Sequence, residues 1–208
     1  MEIAIIGAGN VGGNLGKLWA AKGHDVTFGV RDPRSPKVEA LLKDAGPSAS
    51  ATGVADAGAD AELIVLAVPW DVAEDVVKQV DLTGKILVDA TNPIAPGLEL
   101  ATDHHTSGAE RVAAWAAGAK VVKAFNTIGA NNLENPRFGD QDATMFICGD
   151  EAEAKGVVRS LAEELGFEAL DAGALSNARL LEPMAMLWIR LAMLEGFGRD
   201  IAFKLLRR

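Results

Sequence analysis

The chain has 208 residues, 49% of them hydrophobic and 24% charged, which is ample apolar material for one compact core. Its formal net charge of -9 argues against nucleic acid or an anionic membrane as partner, so any anionic ligand must be held by a local cluster of positive groups. The apolar stretches at 63–70 and 184–189 are far shorter than the roughly 20 residues a membrane helix requires.

Runs of strand length alternate with amphipathic segments of helix length. Strands are predicted at 2–6, 25–29, 63–68, 86–89, 121–125, 144–148 and 167–171, and helices at 11–22, 36–45, 71–80, 109–117 and 151–165. Several strands are apolar without alternation, as expected when helices cover both faces of a parallel sheet. The pattern predicts an α/β fold with a doubly wound, mostly parallel Rossmann sheet over residues 1–175. Asp71 with Glu74, and Ser107 with Glu110, each read as a helix start with a capping box. No basic leader precedes the first strand, and the single Cys148, inside an apolar run, reads as a small buried hydrophobe; both point to a cytoplasmic protein.

Residues 176–208 differ in kind. From Met184 to Leu194 only Arg190 is charged, so a helix there must be buried inside the domain or against a second copy. Pro183 implies a kink or a fresh helix start. The segment reads as a small helical cap, not independent of the rest, and as a homodimer interface.

The strongest chemical signal is Gly7-Ala8-Gly9-Asn10-Val11-Gly12, a GxGxxG between a strand and a helix. Gly7 permits the tight turn, Gly9 lets the backbone approach a pyrophosphate, Gly12 lets helix and strand pack, and the helix start offers amide donors to phosphate. At the end of the second strand Val30 occupies the place of the acid that binds a ribose hydroxyl in NAD sites. Arg31 follows at once, with Arg34, Ser35 and Lys37 close behind, a set suited to the 2′-phosphate of NADP(H). Asp32 is the counter-argument: it either binds a ribose hydroxyl, or lies outside the pocket or steadies Arg31. Later strand ends carry Val68-Pro69-Trp70, Thr91-Asn92-Pro93 and Phe125-Asn126-Thr127-Ile128-Gly129, which are predicted to surround the nicotinamide. Trp70 reads as a pocket wall. Asn92 and Asn126 either hydrogen-bond the carboxamide or a second ligand, or stabilise turns. His104 and His105 have no third ligand at metal-site spacing and read as a polar loop, so no metal is expected.

The glycine motif, Gly29-Val30-Arg31, the run from Ile64 to Trp70, Lys123-Ala124-Phe125-Asn126-Thr127-Ile128, and the run from Asp171 to Arg179 together resemble the NADP oxidoreductases dependent on coenzyme F420. The Phe-Asn-Thr run is also similar to the NADPH-binding domain of six-transmembrane metalloreductases, whose partner is a flavin. The resemblance covers essentially the whole chain. It implies hydride transfer between the nicotinamide and a deazaflavin (coenzyme F420) or flavin in one crevice. Gly7 to Gly12, Arg31 and Ser35 would bind NADP, Pro69, Trp70, Asn126 and Ile128 would line the rings, and the protein would be a dimer. Where the archaeal enzymes carry a histidine before the Thr-Ile pair this chain has Asn126, which leaves the second ligand open. Two other readings stand beside it: an NADPH-dependent reductase of a small imine or hydroxy acid, and a non-catalytic NADP(H)-binding sensor.

Overall fold

The computed structural model describes residues 1–103 and 105–208. Strands form where aliphatic residues run without polar alternation: β1 (Glu2–Ile6) is buried at every position after Glu2. In chain order follow α1 (Asn10–Ala21), β2 (Asp25–Val30), α2 (Pro36–Ala45), β3 (Ala49–Gly53), α3 (Val54–Ala57), β4 (Leu63–Leu66), α4 (Trp70–Val77) and β5 (Ile86–Asp89). A hairpin of β6 (Ile94–Ala95) and β7 (Glu99–Leu100) leads to α5 (Gly108–Trp115) and β8 (Lys120–Lys123). A second hairpin, β9 (Arg137–Phe138) with β10 (Gln141–Asp142), precedes β11 (Thr144–Gly149), α6 (Ala152–Glu164), β12 (Glu168–Asp171) and α7 (Ala178–Met193).

Eight strands make one sheet in the order β12-β11-β8-β5-β4-β1-β2-β3. Strands β3 to β8 along that order run parallel, and the order reverses between β1 and β4, the switch point where a doubly wound sheet opens a crevice at its carboxyl ends. β11 runs antiparallel to β8, and β12 parallel to β11. The reversal has a local cause: between β8 and β11 there is a 3₁₀ turn (Ala130–Asn132) and a hairpin but no crossover helix to return the chain for a parallel strand.

Three features differ from the expectations. β3 and α3 were not legible, because Ala49-Ser50-Ala51-Thr52-Gly53 has weak strand propensity and is held at the sheet edge by backbone pairing to β2. α4 begins at Trp70 after Pro69, so Asp71 falls inside the first turn and no side chain caps the helix. Ser107 does cap α5, accepting from the Glu110 amide at 3.1 Å. Pro183 neither starts nor ends a helix but sits within α7.

The core fills both faces of the sheet. On one, Trp19 of α1 packs edge-on to Phe125, with ring centroids 5.6 Å apart, and its indole donates to the Leu161 carbonyl of α6. On the other, α4, α5 and α7 cover β4 and β5 through Ala73, Val112, Leu181 and their neighbours. α7 buries only one face, through Ala178, Leu181, Glu182, Ala185, Trp188 and Ala192. The opposite face leaves Leu180, Leu187 and Met193 exposed, so of the two alternatives, burial inside the domain does not account for the whole helix. Beyond Met193 the chain is no longer helical and runs back over the domain. Trp188 donates to the Ile201 carbonyl at 2.7 Å, Asn132 to those of Arg199 and Ile201, and the Thr144 amide to that of Phe203.

Candidate active site

The glycine turn stands at the carboxyl end of β1. Gly7 adopts φ +108°, and a Cβ there would lie 2.4 Å from the Ala67 carbonyl oxygen. A Cβ on Gly12 would meet the Gly7 carbonyl oxygen at 2.1 Å, so any larger residue would push α1 off the strand. At Gly9 nothing lies within 4 Å of where a Cβ would stand, which leaves room for a ligand against bare backbone. α1 begins at Asn10 with no side-chain cap and no acidic residue in its first turn. The amides of Asn10, Val11 and Gly12 and the helix dipole are therefore uncompensated, the arrangement that attracts a phosphate.

From this turn a groove of about 860 Å³ runs to the end of β2. Arg31, Asp32, Ser35 and Lys37 line one side of it, and Val68, Pro69 and Asp71 the other. Arg34 is exposed but not in the wall. Asp32 corrects both non-binding alternatives: it lines the groove, and among the described residues it forms no ion pair with Arg31. Its Oδ1 instead accepts the Arg34 amide at 3.0 Å, turning the loop that carries the basic residues.

Trp70, at the start of α4, leans on Trp115, with ring centroids 5.4 Å apart, and does not line this groove. Ile128 is half-buried against the first core. Phe125 adopts φ +62°, a strained conformation for a bulky residue, and its amide donates to the Met145 sulfur at 3.2 Å. That turn ends β8 and sets Asn126 beside Asn92. The Asn92 side chain donates to the Asn126 carbonyl at 3.0 Å, and the Asn126 Nδ2 donates to Asn92 Oδ1 at 3.1 Å and to the Leu181 carbonyl at 3.2 Å. Asn126 Oδ1 is buried with no partner.

Beneath these loops lies a charged cluster that the sequence reading missed. The Lys123 ammonium, 0% exposed, donates to Asp89 Oδ2 at 2.8 Å and to the Thr91 carbonyl at 2.7 Å, and forms an ion pair with Glu182 Oε1 at 3.0 Å. Asp89 Oδ1 accepts from the Thr91 amide and hydroxyl, at 2.9 and 2.7 Å. Glu182 also accepts the Gly108 and Ala109 amides at 2.8 and 3.0 Å, so α7 caps the start of α5. Burial alone would lower the Lys123 pKa, but the two carboxylates outweigh it and hold the group above the ordinary 10.5. Two signals were present in the sequence: a lysine inside the apolar run Val121-Val122-Lys123-Ala124-Phe125, and a glutamate just before the apolar part of the last helix.

Residues 2–93 match the family model described as NADP oxidoreductase, coenzyme F420-dependent. The F420-dependent NADP reductase of Methanocaldococcus jannaschii is 31% identical, over 92% of this chain and 92% of its own. The chain belongs to this family. The metalloreductase STEAP3 of Rattus norvegicus is 34% identical over 89% of the chain, which spans only 36% of that protein's length. A crystal structure assigned as an F420-dependent NADP reductase from Arthrobacter sp. FB24 superimposes with a TM-score of 0.89 at 32% identity, covering 100% of both chains.

In this member of the family the other candidate groups lie apart from the crevice. Cys148 is buried, which pushes its thiol up to about 12, and donates weakly to the Leu175 carbonyl. His105 is exposed, and its amide donates to Asp103; His104 lies outside the described residues. Among the described residues no helix is long and apolar enough to cross a membrane.

The charged cluster predicts an alkaline transition. With the folded-state pKa of Lys123 raised, its stabilisation is complete below the ordinary 10.5 and is lost as the pH climbs above that through the raised value. In urea titrations the wild-type midpoint is expected to fall over that range, and that of Lys123→Met to fall less. At neutral pH Lys123→Met should cost about 3–5 kcal/mol, because it leaves two buried carboxylates without a cation. A flat wild-type profile above pH 10.5 would contradict the charged cluster.

Proposed function

We propose that the protein transfers a hydride between NADP(H) and coenzyme F420. The observation that carries this reading is one groove in which an open glycine cradle at Gly9 and a row of Arg31, Ser35 and Lys37 face the same space. The cradle and the amides of Asn10, Val11 and Gly12 suit the pyrophosphate. Arg31, Ser35 and Lys37 suit the 2′-phosphate, for which Val30 supplies no opposing charge. Arg34, exposed in the same loop, is proposed to lend a further positive charge. Val68 and Pro69 line the groove. Trp70, Asn92, Asn126 and Ile128, at the carboxyl ends of the neighbouring strands and outside that lining, are proposed to surround the two reacting rings.

Bound there, NADPH would supply a hydride with its two electrons, and the deazaflavin would take it up together with a proton from solvent. The protein's own part is to hold the two rings face to face and keep bulk water from between them. No acid or base is required of it. Support for the deazaflavin comes from the archaeal relative, named for F420, that shares 92% of its length with this chain. Asn126, where the resemblance leads us to expect a histidine, makes an ordinary flavin the first competitor.

A homodimer through α7 completes the proposal. Leu180, Met184, Leu187, Leu191 and Leu194 recur at spacings of four, three, four and three, the seam of a self-pairing helix, and Leu180, Leu187 and Leu194 are exposed. A reducing cytoplasm, where NADPH is kept, is the setting this chemistry needs.

The test is NADPH oxidation followed by absorbance with coenzyme F420, FMN, FAD or no acceptor in parallel. Rapid oxidation with F420 alone is expected. Oxidation with FMN or FAD instead would replace the acceptor, and binding without any oxidation would point to a small substrate or a sensor. Arg31→Ala is expected to weaken NADPH binding by about tenfold to a hundredfold, the worth of a charge-assisted hydrogen bond, while sparing NADH. Equal loss for both would overturn the NADP preference. By light scattering the wild type is expected to be a dimer and Leu187→Glu a monomer; a monomeric wild type would overturn the assembly.

A further inference from the structure

Asn126 is the one buried side chain among the described residues with an unpartnered polar atom, and the reason lies in its surroundings. An amide group has two N–H donors and a carbonyl acceptor. Both Nδ2 protons of Asn126 are taken, by Asn92 Oδ1 and by the Leu181 carbonyl. The Leu181 carbonyl can only accept, and Asn92 is turned by its own bond to the Asn126 carbonyl, so the amide of Asn126 has one allowed orientation. Its free group is therefore an acceptor, held rigidly at the carboxyl end of β8. An unmet buried acceptor costs free energy that a ligand N–H would recover.

The three groups that fix this amide come from the β5 loop, the end of β8 and α7. The same three elements meet at the Lys123 ammonium. Thr91, which Lys123 holds by its carbonyl, precedes Asn92; Lys123 itself lies three residues before Asn126; Glu182, its second carboxylate, follows Leu181. Two hydrogen bonds and a second ion pair fix the ammonium, so the cluster holds all three elements in one arrangement.

We infer that Asp89, Lys123 and Glu182 are positioning residues that set Asn126 Oδ1 as a fixed acceptor for an amide N–H donor, the carboxamide of the nicotinamide ring. The inference rests on the NADP(H) reading above. The adenosine half of the cofactor would then be held by the glycine turn and Arg31, whereas the nicotinamide half depends on a buried charge and an α7 carbonyl.

The experiment compares NADPH with adenosine 2′,5′-bisphosphate, which carries the adenosine half alone, by titration calorimetry. Variants are Asn126→Ala, Glu182→Gln and the milder Thr91→Val, which removes only the hydroxyl bond to Asp89. Val158→Ala, a cavity in α6 away from the site, measures what lost stability alone does. Asn126→Ala and Glu182→Gln should weaken NADPH binding by about five- to tenfold, the worth of one hydrogen bond, with a smaller loss in Thr91→Val. All three should bind the bisphosphate within about twofold of wild type, and Val158→Ala should bind both ligands normally. The fluorescence of bound NADPH should shift in the same three variants. Unchanged NADPH binding, or parallel loss of both ligands, would overturn the inference. A wild type that binds neither ligand would instead overturn the NADP(H) reading.

Discussion

A buried ammonium can persist only if every proton it carries finds an acceptor and nearby negative charge offsets its lost hydration, a cost of several kcal/mol per ion. Lys123 is held by hydrogen bonds to Asp89 and the Thr91 carbonyl and by the charge of Glu182, which belong to three separate parts of the chain. Two carboxylates around one cation leave an excess negative charge. The Gly108 and Ala109 amides at the start of α5 answer it on the Glu182 side, and the Thr91 amide and hydroxyl on the Asp89 side. β5, β8, α5 and α7 are thereby tied to one point. The floor of the crevice and the last helix cannot shift independently, because any displacement would strand a buried charge.

The carboxyl edge of the sheet accordingly has two kinds of construction. Its glycine end is local: a turn, a helix start and a loop, all within the first 37 residues, shaped by backbone sterics and by the absence of side chains where ligand must lie. Its other end is assembled from distant segments, with Asn92 meeting Asn126 across 34 positions and Asn126 meeting Leu181 across 55. Strain at Phe125 belongs to this second half. A phenylalanine held at positive φ persists only where the surroundings over-determine it. Here Trp19 packs on its ring and Met145 accepts its amide.

α7 joins these themes. One face carries Leu181 to Asn126 and Glu182 to Lys123, and the other presents leucines to solvent at heptad spacing. The extended tail after Met193 anchors Trp188 and returns to Thr144, where β11 has already diverged from β8. The same helix thus carries the buried Glu182 on one side and the exposed leucines on the other.

Local rules were enough for the first half of this architecture. Apolar runs without alternation specified the buried parallel strands, and a GxGxxG between strand and helix located the phosphate turn, because both depend on residues adjacent in the chain. Ser107 with Glu110 marked a true helix start for the same reason. β3 escaped notice, since its alanines and serine pair through backbone atoms that any sequence possesses. Asp71 misled, since Pro69 turned the chain into α4 before it. Asp32 carried no signal of whether it would bind a ligand or hold its own loop. The burial of Lys123, the capping of α5 by Glu182 and the single allowed orientation of Asn126 were decided only in three dimensions. Each depends on a partner 34 or more positions away, and no periodicity in a single chain records which buried charge will find which other.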